Sequence, residues 1–148
     1  MKKLLILSLV ALSGCTTLSK DYVLVTEGND TSQLLVYRES SYQAGAVSLY
    51  VGEGDKYFLK LRNDQYSVIE INSGNHILQA KADASPASIL EITLPPGETK
   101  CVASKPNQEM LGAVMIPIIA NMVPSFLLEE KACPTPEILA GMENVSGT

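Results

Sequence analysis

Apolar and polar residues alternate along much of the chain between residues 33 and 104. Alternation with a period of two is typical of β-strands that turn one face to a core and the other to solvent. Gly, Asn, Asp and Pro separate the alternating runs, as expected for tight turns. The pattern predicts strands at 33–38, 46–51, 57–62, 66–71, 76–83, 88–94 and 99–104. Short strands at this even spacing predict an all-β domain, either an antiparallel β-sandwich or a barrel.

Residues 110–128 break the alternation, because they contain no charged side chain. Their larger apolar residues recur at helical spacing, and the segment approaches the length of a membrane helix. Two prolines and one asparagine within it, Pro117, Pro124 and Asn121, argue against a membrane span. Three interpretations remain open: a buried excursion before the last strand, an exposed surface for a membrane or partner, and a transmembrane or re-entrant segment. The candidate interaction surface consists of Val114, Met115, Ile118, Met122 and Phe126.

The N-terminus has the pattern of a bacterial export signal. Two lysines precede an apolar stretch at 4–12 that is too short to span a bilayer as a folded helix. Residues 12–15 are Leu-Ser-Gly-Cys and resemble the lipobox of bacterial lipoproteins, with an ordinary signal peptide and a chance cysteine as the alternative. We predict that residues 1–14 are removed and that Cys15 carries the lipid. Because Thr16 rather than Asp follows Cys15, the resemblance favours the outer membrane, facing the periplasm, over the inner membrane.

The rest of the chain is long enough for one domain. We predict a lipidated tether at 15–32, the β-sandwich at 33–140 and a flexible tail at 141–148. Loss of Lys2 and Lys3 with the signal lowers the basic residues from 11 to 9 against 16 acidic ones, a net charge of −7. Nucleic-acid binding needs clustered Lys and Arg, so this composition argues against it. The expected partners are the membrane, through the lipid, and an envelope protein.

Two cysteines remain when Cys15 is assigned to the lipid. Cys101 and Cys133 form an even pair in an oxidising compartment, which favours a disulfide. The alternatives are two free thiols, a metal site, and a nucleophile paired with His76, the single histidine of the chain. We expect no metal site and no cofactor, because further Cys or His ligands are lacking in the sequence.

The sequence contains no motif that predicts a catalytic centre. His76 follows a Gly-Asn turn and is interpreted as structural, with a metal ligand or general base as the alternative. Glu129 and Glu130 are adjacent, so on a strand they point to opposite faces and do not converge on one bond. The strand tyrosines are interpreted as packing residues, with an aromatic binding surface as the alternative.

Several short segments are similar to a family of bacterial envelope domains. The segments lie at residues 35–38, 48–52, 58–61, 71–76, 77–81 and 94–99. They include a Tyr-Arg strand end, a glycine turn, a Gly-x-His turn and a Leu-Pro-Pro-Gly-Glu-Thr turn. These segments resemble the domain of unknown function number twenty-eight forty-six, often found on lipoproteins, over residues 33–139. The resemblance implies a transthyretin-like or Ig-like β-sandwich, and it supplies no catalytic residues.

The combined pattern predicts a lipid-anchored envelope protein that acts as a non-catalytic binding or accessory module. One alternative is a membrane-embedded component of an envelope complex, which would use residues 110–128. The other is a thiol- or His-dependent hydrolase, which would need a pocket that joins His76 to Cys101 or to an acid. A binding module would instead need an exposed apolar or tyrosine patch.

Overall fold

The computed structural model describes residues 16–19, 21–42, 44–110 and 122–146. Within these ranges the chain forms nine β-strands in two sheets and one short helix. The strands are β1 Thr31–Arg38, β2 Leu49–Glu53, β3 Lys56–Leu61, β4 Gln65–Asn72, β5 Gly74–Lys81, β6 Ser88–Leu94, β7 Thr99–Pro106, β8 Phe126–Lys131 and β9 Glu143–Asn144, and the helix α1 is Pro136–Ala140. The seven predicted strands correspond to β1–β7, and the all-β sandwich is confirmed.

The two sheets differ in how their strands are ordered. Sheet A has the order β8-β7-β1-β4-β9, and sheet B has the order β3-β2-β5-β6. Sheet B is antiparallel throughout, whereas β1 pairs in parallel with β7 and β4 in parallel with β9. The sandwich is therefore not purely antiparallel, because β7 enters sheet A beside β1 after the chain has passed through sheet B. Such crossover pairings leave no local pattern in the sequence.

The inward-facing residues of both sheets form one apolar core. Alternate positions of β1 and β5 point into it, which is the period-two arrangement that the sequence predicts. The fully buried members include Leu34, Val36, Leu49, Val51, Leu61, Leu78, Leu94, Val102 and Phe126. A fully buried Leu or Phe stabilises the fold by about 1.5–3 kcal/mol, so this core is the main source of stability.

A β-bulge between β2 and β3 shapes the end of sheet B at which β2 ends and β3 begins. The register shifts between Val51 and Gly52, which leaves Phe58 without a partner in β2. A Cβ atom at Gly52 would lie 2.0 Å from the carbonyl oxygen of Lys56, so this position requires glycine. The unpaired Phe58 turns its ring onto Tyr22, with 4.9 Å between the ring centroids. The bulge thereby creates a contact site for the residues that precede β1.

Both ends of the predicted domain extend further than the sequence indicates. Residues 143–144, assigned above to a flexible tail, form β9 and pair with Gln65 and Tyr66 of β4. Residues 31 and 32, assigned to the tether, belong to β1. These assignments are corrected because polar residues at both ends find backbone partners that are distant in sequence. In the described part of the chain, no helix is long and apolar enough to cross a membrane.

Candidate functional site

The residues predicted to be a tether are attached to the sandwich. We call residues 16–19 and 21–30 the N-terminal segment. Its first described backbone N–H, that of Thr16, donates to Asp83 Oδ1 at 3.1 Å. The N–H of Ser19 donates to the carbonyl oxygen of Tyr57 at 2.7 Å, on the exposed edge of β3. The segment thus begins at the β5–β6 turn and follows the edge of sheet B.

The second half of the N-terminal segment continues to the edge of sheet A. The N–H of Asn72, at the end of β4, donates to the carbonyl oxygen of Leu24 at 2.8 Å. The side chain of Asn72 in turn accepts from the N–H of Thr26 at 2.9 Å. Leu24 also packs against the main core. Backbone bonds at both ends, together with this apolar contact, hold the segment against the domain.

A partly buried carboxylate, that of Glu53, holds the middle of the N-terminal segment. Tyr22 donates its hydroxyl to Glu53 Oε2, and His76 Nδ1 lies 3.1 Å from the same oxygen. The backbone N–H of Ile77 donates to Glu53 Oε1 at 3.0 Å. His76 Nε2 donates to the carbonyl oxygen of Asn72 at 2.8 Å. We call Tyr22, Glu53 and His76 the Glu53 cluster.

Electrostatics identify Glu53 as the charged centre of this cluster. Burial by itself would raise the pKa of the Glu53 carboxyl, but hydrogen bonds from Tyr22, the Ile77 N–H and His76 lower it below its ordinary value. Burial, followed by the bond to Glu53, raises the pKa of the Tyr22 hydroxyl. Both ring nitrogens of His76 have hydrogen-bond partners within the fold. The arrangement therefore fastens the N-terminal segment, as the structural interpretation of His76 expects.

The outer face of sheet B carries alternating tyrosines and lysines. In the register, Tyr50 of β2 lies between Lys60 of β3 and Lys81 of β5. Lys60 Nζ is 5.3 Å from the Tyr50 ring centroid, and Lys81 Nζ is 5.4 Å from that of Tyr57. The two tyrosine rings meet edge to face at 6.4 Å. We call these four residues the tyrosine–lysine face, and cation–π and edge-to-face contacts hold their side chains in place.

The disulfide prediction is confirmed. Cys101 of β7 is joined to Cys133, with 5.1 Å between the Cα atoms, within the range usual for such bonds. The bond fixes the start of residues 132–146, which we call the C-terminal strap. Leu139 and Met142 of the strap pack on a small apolar cluster on the outer face of sheet A. The strap ends in β9, so it spans sheet A from the β7 side to the β4 edge.

Arg38 is a buried residue that the sequence reasoning missed. Its side chain is fully buried at the end of β1, and its guanidinium donates to the carbonyl oxygens of Ala44, Val47 and Leu61. The guanidinium carbon lies 4.5 Å from the ring centroid of Phe126. Burial lowers the pKa of Arg38. Arg38 occupies the inward register of Leu34 and Val36, and this register is the signal that could have revealed it.

The structure describes two of the five residues of the predicted interaction surface, Met122 and Phe126. Val114, Met115 and Ile118 lie outside the described residues. Met122 is 74% exposed, as a surface residue should be. Phe126 is fully buried and is therefore removed from the predicted surface, because it begins β8 and packs beneath Arg38 in the core. Cys15, the predicted lipid site, also lies outside the described residues.

The remaining candidate groups are separated from one another. Glu129 pairs with Lys105 and Glu130 with Lys100, so the two adjacent carboxylates have different partners. Cys101 lies in sheet A and His76 in sheet B. Among the described residues, no group of three or more His, Cys, Asp or Glu side chains is arranged to hold a metal ion.

Comparison with known proteins gives no relative for this chain. No protein family, curated protein or solved structure matches it.

Proposed function

We propose that this protein is a lipid-anchored envelope protein that faces the periplasm and acts as a non-catalytic binding or accessory module. The observation that carries the proposal is the Leu-Ser-Gly-Cys sequence at 12–15, which follows a basic and then an apolar stretch. The bonds from Thr16 and Ser19 to the domain support it, because they attach the chain next to the proposed lipid site to the folded module. A lipid at Cys15 would hold a folded module close to the membrane surface.

The residues that a hydrolase would use are engaged in the fold, which supports the non-catalytic part of the proposal. Cys101 and Cys133 are consumed in a disulfide, so neither offers a thiolate as nucleophile. His76 and Glu53 hold Tyr22 in place. A general base keeps one ring nitrogen directed at the nucleophile, whereas both ring nitrogens of His76 are bonded within the fold.

We also propose that the domain is a divergent relative of the domain of unknown function number twenty-eight forty-six. The strand and turn segments that carry the resemblance, including 35–38 and 94–99, fall on β1 and on the β6–β7 connection. A two-sheet sandwich is the fold that the resemblance implies. Met122, which lies in the uncharged segment 110–128, is 74% exposed and is the residue through which we propose contact with an envelope partner as a further part of this function.

Fractionation of the bacterial envelope tests the proposed function. The wild-type chain and a Cys15→Ala variant would be expressed at the same level, with a Cys101→Ala/Cys133→Ala variant as the control that keeps the lipid site. We expect the wild type and the control in the membrane fraction, and the Cys15→Ala variant unprocessed. A Cys15→Ala protein that is processed and fractionates like the wild type would contradict the proposal.

A further inference from the structure

Thr16, the residue that follows the proposed lipid site, is bonded to the folded domain. The N–H of Thr16 is bonded to Asp83 in the turn between β5 and β6. Consecutive Cα atoms of any chain are about 3.8 Å apart, so a lipid on the residue before Thr16 would be attached within one residue of this bond. The proposed lipid is therefore attached beside the β5–β6 turn, at the end of β5 that carries Lys81.

The attachment leaves little slack between the lipid and the domain. Ser19 is bonded to Tyr57 on β3, and Tyr22 is stacked on Phe58 and bonded to Glu53. A free tether of this length would let the domain reorient at the membrane. A tether that is bonded along sheet B instead keeps the same side of the sandwich near the lipid.

The side of the domain next to this point has the composition of a membrane-interface surface. Besides the tyrosine–lysine face, it carries Ile77 and Ile89, which are 50% and 64% exposed. Ile89 pairs with Gln79 in the register, Gln79 pairs with Gly52 of β2, and Gly52 pairs with Tyr57 on its other side. Tyr57 is partly exposed, and tyrosine rings favour the headgroup level, whereas Tyr50 is only 5% exposed and supports Lys60 from below. Lysines lay their apolar stems along a surface while their charges reach phosphate.

The two outer faces of the sandwich also differ in charge. The outer face of sheet B presents Lys60 and Lys81 beside a single carboxylate of β6, Glu91. The opposite side, formed by the outer face of sheet A and the C-terminal strap, includes the carboxylates of Glu70, Glu129, Glu137 and Glu143 against two lysines, Lys105 and Lys131, both of which pair with Glu129. In a chain with a net negative charge, an anionic headgroup layer attracts the first side and repels the second.

From these observations we propose that the tyrosine–lysine face, with Ile77 and Ile89, lies against the headgroup layer of the membrane that holds the lipid of Cys15. This inference rests on the proposed lipidation. The acyl chains supply the anchoring, and the face sets the orientation of the domain. Each lysine near an anionic surface favours that orientation by a factor of about five, which is the equivalent of about 1 kcal/mol. The acidic side of the molecule then points into the periplasm, where a protein partner is accessible.

A single tryptophan gives a direct measurement of this orientation, because the chain contains none. Ile89 on sheet B and Ile138 on α1 are exposed to similar extents, 64% and 52%, on opposite sides of the domain. Full-length lipidated Ile89→Trp and Ile138→Trp proteins would be placed in vesicles of phosphatidylethanolamine and phosphatidylglycerol. Lipids brominated near the headgroup quench tryptophan that lies at the membrane surface.

We expect quenching and a blue shift for Ile89→Trp, and emission from Ile138→Trp like that of the protein in solution. Equal quenching at both positions, or stronger quenching of Ile138→Trp, would overturn the proposed orientation. Flotation of the vesicles separates this outcome from failure of the lipidation itself. Protein that does not float lacks the anchor, whereas protein that floats with Ile89→Trp unquenched has the anchor but another orientation.

The two lysines supply a second test in the Ile89→Trp background. Changing Lys60 and Lys81 to Gln should shift the orientation equilibrium by about 25-fold in vesicles with phosphatidylglycerol, at about fivefold per lysine. Vesicles of phosphatidylcholine alone should show a much smaller change. The control pair changes Lys105 of β7 and Lys131 of β8, which pair with Glu129 on the outer face of sheet A, to Gln. Equal loss of quenching in the control pair would show that net charge, and not this face, governs the contact.

Discussion

Removal of the Cys101–Cys133 bond should destabilise the domain by an amount that the structure defines. The bond joins residues separated by 32 positions. In the chain-entropy model, closing a loop of this length in the unfolded chain stabilises the fold by about 3.7 kcal/mol. The total stability of a domain of this size is about 5–15 kcal/mol, so the reduced protein should remain folded but melt earlier. At about 4 °C per kcal/mol, we expect a fall in Tm of about 15 °C.

The assay is thermal unfolding of the mature chain carrying Cys15→Ala, followed by circular dichroism with and without a reductant. Reduction of the wild-type pair isolates the crosslink, because both sulfur atoms stay in place. The Cys101→Ala/Cys133→Ala variant is the control and should melt at one temperature in both buffers. Since Cys101 is buried, this variant also loses a packed sulfur atom and should melt somewhat below the reduced wild type.

Hydrogen exchange locates the effect within the fold. Cys133 lies between β8 and α1, so amides of these two elements should exchange faster after reduction, while those of β5 in sheet B should not. A fall in Tm of less than about 4 °C would mean that the bond contributes under 1 kcal/mol. That result, or faster exchange in β5 than in β8, would refute the reasoning.

Three further predictions follow from individual side chains. Arg38→Met should lower the free energy of urea unfolding by about 3 kcal/mol, because one buried and two partly buried carbonyl groups lose their donor, and Arg38→Lys should not restore it. Glu53→Gln should lower the free energy of unfolding at neutral pH. The pKa of Glu53 is held below its ordinary value, so its ionised form stabilises the fold at neutral pH, and this contribution is lost as the pH falls. The free energy of unfolding of the variant, measured in urea, should therefore fall less with decreasing pH than that of the wild type. An unchanged pH dependence would contradict the role of the Glu53 cluster. Met122→Asp should leave the melting temperature nearly unchanged, whereas Phe126→Asp should unfold the domain; the reverse order would contradict the burial described here.

The sequence predicts those strands whose pattern is local. β3, β5 and β6 alternate clearly, and β1, β4 and β7 are short runs of β-type residues between turn residues, so their positions follow from local side-chain chemistry. β2 begins three residues later than predicted, because the carbonyl groups of Ala44 and Val47 accept bonds from Arg38 and hold the preceding residues in a loop. The loop is held by the buried Arg38, and the sequence around the loop does not reveal this contact.

The elements that the sequence does not reveal depend on distant partners. β9 has two residues and exists through its pairing with β4, about eighty positions earlier in the chain. The N-terminal segment has the polar composition of a linker, but its backbone bonds reach Tyr57, Asn72 and Asp83. The disulfide, by contrast, follows from the number of cysteines and the expected compartment. Cysteine count was thus more informative here than polarity.

Mass spectrometry of the mature N-terminus, purified from membranes, tests the central claim most directly. The account predicts that the first peptide begins at Cys15, ends at the next protease site, and carries diacylglycerol on the sulfur and an acyl chain on the amino group. The Cys15→Ala protein, treated in the same way, is the control and should retain residues 1–14. An unmodified Cys15 that is still joined to Gly14 in the wild-type protein would contradict the account.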